Sequence, residues 1–312
     1  MKKEKYFLKK LSISRFFDSD LFYSFSHSPI SIIAGIITII FFLASLFAPW
    51  ITPQNPFDMA SIDVLDSFIP PIWELEGDER FLLGTDDQGR GILSTIIHGS
   101  RISLFIGFSS VIFAMILGVF LGLVSGFIGG ILDAFIMRVA EIQLSFPAIL
   151  IALLVNGILR GILPADQHDS MAYYVLVLSI GISGWVQYAR TVRGSTMVER
   201  NKEYVQAARV IGIHPFMIMF KHILPNVMSP VLVIATIHLA VAIITEATLS
   251  FLGVGVPPTE PSLGTLIRIG NDFLFSGEWW ITIFPGLALA VLVLSVNLLG
   301  DWLRDALNPK LR

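Results

Sequence analysis

The sequence predicts an all-α, polytopic membrane protein with six transmembrane helices. Composition is the first observation behind this. Of 312 residues, 54% are apolar and only 14% are charged, against about 25% charged in an ordinary soluble domain. The second is placement. The charges cluster, leaving six charge-free runs at 21–57, 102–132, 142–159, 170–189, 222–245 and 279–300. Each run is at least about 18 residues long, enough for a helix to cross ~30 Å of hydrocarbon at ~1.5 Å per residue. A charge at mid-bilayer costs about 2.5 to 3.5 kcal/mol, so these runs are where the chain can cross.

The same composition excludes other classes. A typical soluble enzyme carries more charge. The net charge is −3, from 21 basic and 24 acidic residues, so there is no global basic field for nucleic acid. The absence of cysteine removes disulfides, thiolate metal sites and a cysteine nucleophile. His27, His98, His168, His214, His222 and His238 are scattered without ligand spacing, so no metal site is expected.

Residues 1–28 form a basic tail. Lys2, Lys3, Lys5, Lys9, Lys10 and Arg15 precede Phe16, Phe17, Phe22 and Phe25. This stretch suits either an amphipathic segment on the headgroup plane or an unstructured tail. The first helix is placed at 29–50, and its charge-free run is too long for a cleaved signal peptide. An external loop at 51–100 follows. It is rich in proline between Pro49 and Pro71, and it holds Asp58, Asp63, Asp66, Glu74, Glu76, Asp78, Glu79, Asp86 and Asp87. A loop of that length is expected to be an ordered cap or a docking surface. Further helices are expected at 102–125, 140–160, 171–190, 225–250 and 280–300, with a loop at 190–224 and a tail at 305–312.

Basic residues orient the bundle. With the N-terminus inside, sixteen Lys and Arg fall on the cytoplasmic side and five (Arg80, Arg90, Arg101, Arg160 and Arg268) on the other. The bias predicts that both termini are cytoplasmic.

The 190–224 loop carries the most specific local chemistry. Asn201 can cap a helix containing Ala207 and Ala208, and Gly212 suits the left-handed position beyond its end. Pro215 fits the first turn of a second helix, with His214 at its cap. Leu224-Pro225 is expected to break or kink the chain before it returns to the membrane. Small residues around a compact turn let a short helix sit deep in a partner's groove, with Tyr204 and Phe216 as apolar anchors. A surface-lying amphipathic helix is the plainer alternative for the loop alone.

Here the sequence resembles the permease subunits of ATP-binding cassette importers. Gln206-Ala207-Ala208, Gly212 and Leu224-Pro225 fall at the spacing of that family's cytoplasmic signature, with Gln206 in place of Glu and His222 in place of Ile. Leu83-Gly84-Thr85-Asp86-Asp87-Gln88-Gly89-Arg90 is similar to the external signature of the dipeptide, oligopeptide and nickel group, although Gly91 stands where Asp is usual. Glu246-Ala-Thr-Leu-Ser-Phe-Leu-Gly253-Val-Gly255, Pro261-Ser262-Leu263-Gly264 and the 300–312 tail also match, in the pattern of the "C" type subunit.

The resemblance implies a type I importer transmembrane domain spanning 29–304 in a bacterial inner membrane. Its partners would be a homologous, non-identical permease subunit, two ATPase subunits and an external solute-binding protein. Glu203, Tyr204, Gln206, Ala207, Ala208, Gly212, Pro215, Leu224 and Pro225 would form the loop that couples to the ATPase. Peptides would be the solute, with nickel or another metal complex as the alternative. This chain has no Gly-x-x-x-x-Gly-Lys-Ser/Thr phosphate loop, so catalysis is not expected on it, nor is any cofactor.

Other constellations have a structural and a functional reading. Gly118, Gly122, Gly126 and Gly130 recur every fourth residue; helix packing is expected at the first two, with no preference for the others. Glu246, an acid within an apolar stretch, is a possible pathway residue, and with His238 it could serve a proton-coupled secondary carrier. A hydrogen bond to a neighbouring helix is the simpler role. Gly181-Ile-Ser183-Gly184 is similar to the Gly-x-Ser-Gly of rhomboid proteases, but chance packing accounts for so short a match. Asn156, Ser179 and Gln187 suit either a pathway or packing bonds.

Overall fold

The computed structural model describes residues 20–306. The basic tail from Lys2 to Phe17 and the last six residues of the C-terminal tail lie outside them. Ten helices organise the described chain: α1 Asp20–Ser26, α2 Pro29–Leu46, α3 Ile92–Ile128, α4 Gly130–Leu144, α5 Ala148–Ile162, α6 Ala172–Glu199, α7 Glu203–Val210, α8 Leu224–Phe251, α9 Leu263–Asn271 and α10 Trp280–Ala306. Short helical turns link some of them. There is no strand among the described residues, only an isolated bridge between Thr85 and Gly91.

Among the described residues, five helices are long and apolar enough to cross a membrane: α2, α3, α6, α8 with the turns before it, and α10. The bent pair α4 and α5 makes a sixth when the two are counted as one broken span. One end of the bundle is covered by residues 52–91; the opposite end carries the α7 elbow.

Several boundaries differ from those expected. α3 starts at Ile92, ten residues early, so the loop expected at 51–100 ends sooner. Arg101 does not interrupt the helix because it stands exposed on its surface. α6 runs on to Glu199, past the expected 190, since Arg193 beyond that point finds an acid on α4. α2 closes at Leu46, where Pro49 forces a separate turn, Ala48–Ile51. The helix expected at 140–160 is instead bent by 101° between Leu144 and Ala148. Pro147 sits at that break in extended geometry (φ −56°, ψ 135°), and it disfavours helix in the residue before it. α9 is not among the expected helices, although Ser262 caps it by accepting from the Thr265 N–H at 3.4 Å.

The broadest helix contact is between α3 and α6. Glycine makes it possible. A Cβ on Gly118 would lie 2.4 Å from the Trp185 carbonyl oxygen, and one on Gly122 would lie 2.5 Å from that of Ala189. Gly126 continues the stripe, 2.8 Å from the Arg193 carbonyl by the same measure, whereas Gly130 faces open space. Backbone-to-backbone approach of this kind is how membrane helices gain packing energy when lipid is as apolar as the side chains.

Candidate functional site

The elbow at 201–223 has two faces set by helical period. Val205 and Ala208 are buried, and pack with Ile218, Ile223 and Val227 against Leu123 and Val192. Glu203, Gln206, Ala207, Val210 and Ile211 are exposed, following i, i+3, i+4, i+7, i+8 spacing. Val210 is 89% and Ile211 77% exposed. Ala208 therefore belongs to the chain's own core and not to an outward face.

Gly212 (φ +84°) ends α7 in the left-handed conformation. The Ile213 N–H donates to the Ala208 carbonyl and the Gly212 N–H to that of Arg209, both at 3.0 Å, the 6→1 and 5→2 pair of a Schellman motif. His214 then caps the next turn, its Nδ1 accepting from the Phe216 N–H at 3.3 Å, with Pro215 at the first helical position. Two expectations fail here. Asn201 does not cap α7, because its amide is drawn back to the Met197 carbonyl of the longer α6. Leu224-Pro225 does not break the chain, because a π-helical turn at Ile218–Ile223 absorbs the proline and leads directly into α8.

The elbow is bolted to three long helices. The Tyr204 hydroxyl donates to Glu199 at 2.6 Å and accepts from the Asn226 amide at 3.2 Å. Lys202 pairs with the same Glu199 at 2.5 Å. Burial, and the carboxylate beside it, push the Tyr204 phenol up, so it stays a donor at neutral pH. Tyr204 is thus not an outward anchor: its ring packs inward. Phe216 is exposed and stacks on Phe220, with ring centroids 4.4 Å apart. Arg200 donates to the Gly126 carbonyl of α3 at 2.9 Å, and Arg209 lies over the Phe127 ring at 5.2 Å. Just inside, Arg193 on α6 grips Asp133 on α4 through Nε (2.5 Å) and Nη2 (2.7 Å), while Ser125 of α3 donates to the same carboxylate. Sequence reading passed over Asp133, Arg193 and Arg200; their signal was three charges flanking apolar runs.

The polar residues inside the bundle are engaged locally. Glu246 has no exposed surface, and its carboxylate accepts from Ser103 and Ser250, each at 2.7 Å. Ser103 also accepts from the Leu263 N–H at 3.3 Å, so the acid ties α3, α8 and the start of α9 together. His238 bonds the Tyr188 hydroxyl at 3.0 Å rather than Glu246. Ser183 donates to the Ile180 carbonyl at 2.7 Å, and Ser179 to that of Val175 at 2.6 Å. Gln187 is exposed, whereas Asn156 is buried with neither side-chain polar atom paired.

At the other end, the 83–91 stretch is a lock. Asp86 and Arg90 are each 1% exposed and joined at 2.6 Å. The Asp86 carboxylate also accepts from the Gln88 and Arg90 N–H groups, both at 2.9 Å, and Arg90 Nη1 donates to the Pro258 carbonyl at 3.1 Å. Trp280 of α10 donates to the Thr85 carbonyl at 2.9 Å. The motif therefore clamps the cap onto the α8–α9 connection and the start of α10.

Residues 118–312 match the family described as "Binding-protein-dependent transport system inner membrane component". The chain belongs to that family. Residues 18–71 of the permease also match the "N-terminal TM domain of oligopeptide transport permease C". It is 38% identical to a di/tripeptide transport system permease protein of Pseudomonas aeruginosa, over 93% of this chain and 91% of that one. A dipeptide transport system permease protein of Haemophilus influenzae is 39% identical, covering 94% and 95%. One from Escherichia coli K12 is 40% identical, covering 88% and 87%. In fold, the permease resembles a chain of the inward-facing MetNI methionine ABC transporter, with a TM-score of 0.53 and 20% identity, covering 70% of this chain and 98% of that one. The permease is thus a multi-pass inner-membrane subunit of a binding-protein-dependent transporter.

Proposed function

We propose that this permease is one half of the membrane channel of a peptide importer, paired with a homologous subunit, two cytoplasmic ATPase subunits and an external solute-binding protein. The observation that carries the reading is the exposed face of α7, Glu203, Gln206, Ala207, Val210 and Ile211, on an elbow whose opposite face is fixed into the bundle. Two exposed aliphatic side chains at a helix tip suit a groove on a protein partner better than water. The elbow end is then cytoplasmic, as is the bias of basic residues. Force on α7 would pass through Tyr204 to α6 and α8, and through Arg200 to α3, tilting those helices and switching access. ATP hydrolysis falls to the partners. Glu246 then acts as an internal joint, and a proton-coupled carrier built on Glu246 and His238 has no pair to work with.

The substrate class follows from the relatives, which are named as dipeptide and di/tripeptide permeases. The test is purification with the co-expressed ATPase and partner subunits. Dipeptide delivered by the binding protein should stimulate ATP hydrolysis, and Ala207→Glu should abolish ATPase association while the chain still inserts. Undiminished association in that variant would refute the docking role. Import by this chain alone under a proton gradient would refute the ATP-driven reading.

A further inference from the structure

A cavity of about 600 Å³ opens between α2 and α3 at the capped end. Four phenylalanines line it: Phe42, Phe57, Phe105 and Phe108. Set among them is Arg101, which has neither an acidic partner nor a hydrogen bond among the described residues. Arg101 is also the last charge before the 102–132 apolar run, so it stands where α3 enters hydrocarbon. Ser45 lines the same cavity, buried and with its hydroxyl unpaired. Glu260 lies at the rim, held by the Tyr173 hydroxyl.

A second, narrower space of about 170 Å³ shares Phe42, Leu104 and Phe108 with the first, and continues along α2 to Thr38 and Ile39. Its lining is almost wholly apolar. The two spaces together make a polar-headed, apolar-tailed site.

We propose that this site binds one phospholipid, with its phosphate on Arg101 and an acyl chain along Phe42, Leu104 and Phe108. An unpaired guanidinium at the hydrocarbon boundary is matched by a phosphate diester, which accepts charge-assisted bonds in a forked geometry. Glu260 at the rim suits the ammonium of an ethanolamine headgroup. A peptide does not fit the tail slot, because its N–H and C=O groups would lie there unpaired.

The test uses the assembled complex in vesicles of phosphatidylethanolamine and phosphatidylglycerol, doped with phosphatidylethanolamine carrying a photoactivatable acyl chain. Cross-links mapped by mass spectrometry should concentrate on Phe42, Leu104 and Phe108, above Ile112 and Ile116 on the lipid-accessible length of α3. Arg101→Gln should cut the site labels about tenfold, or ~1.4 kcal/mol, leaving Ile116 unchanged, and Arg101→Lys should retain most of them. Leu104→Trp, which fills the slot with Arg101 in place, should also lower them. Even labelling along α3, or no response to Arg101→Gln and Leu104→Trp, overturns the proposal. So does displacement by excess dipeptide, which would assign the cavity to the transported solute. The readout needs neither ATP nor transport, so it fails or succeeds apart from the function proposed above.

Discussion

Removing the Arg90 side chain is the sharpest test of how the cap is held. In Arg90→Met, a similar volume stays but the guanidinium goes, leaving the Asp86 carboxylate 1% exposed with two backbone N–H partners. Breaking one side of a buried ion pair costs about 3 to 5 kcal/mol, because the surviving charge is stranded in a poor solvent. Arg80 is the internal control. It pairs with Asp66 at 2.7 Å and Asp78 at 2.8 Å, but its side chain is 61% exposed, so solvent screens the pair and its loss matters little. Hydrogen exchange over residues 84–91 reads the difference. Exchange through local opening should accelerate about 10²- to 5 × 10³-fold in Arg90→Met and only a few-fold in Arg80→Ala. The double variant Asp86→Leu, Arg90→Met should recover much of the loss, since no charge is left stranded. Equal exchange in Arg90→Met and Arg80→Ala would refute the lock.

Four further variants have expected outcomes. Gly122→Ala should lower the thermal midpoint of the purified protein by the equivalent of about 1 to 3 kcal/mol, because its Cβ meets the Ala189 carbonyl at 2.5 Å. Gly157→Ala should be neutral or stabilising, with nothing within 4 Å of the new methyl. Asp87 gives the cap a pH dependence. Burial, then the neighbouring Asp86 charge, push its carboxyl up, so the folded cap holds that proton more tightly than the unfolded chain. The destabilisation is present in full above the raised folded value and fades as pH falls toward the unfolded value of about 3.9. Asp87→Asn should flatten that dependence when cap exchange is measured across the window. Finally, Tyr204→Phe deletes the bonds to Glu199 and Asn226 while keeping the ring, so stability should fall by about 1 kcal/mol. ATPase association should persist while transport per ATP hydrolysed drops, a split that a purely structural role would not give.

What the sequence settled by itself was local. Charge-free runs located the apolar spans because an unpaired charge at mid-bilayer is costly whatever the rest of the fold does. Gly212 and Pro215 announced the elbow because positive φ and a missing N–H are properties of single residues. The sequence alone left the helix ends open, since an exposed Arg101 and a paired Arg193 each allow a helix to outrun its apolar stretch. It also left open which side of α7 faces out. Ala207 and Ala208 are chemically identical, and only the packing of Val205 and Ala208 against Leu123 and Val192 separates them. Likewise, Asp86 finds Arg90 within its own motif, but the motif's grip on Pro258 and Trp280 spans more than 160 residues of chain. Such contacts are decided when distant segments compete for the same neighbours, and no window of sequence contains both sides of that choice.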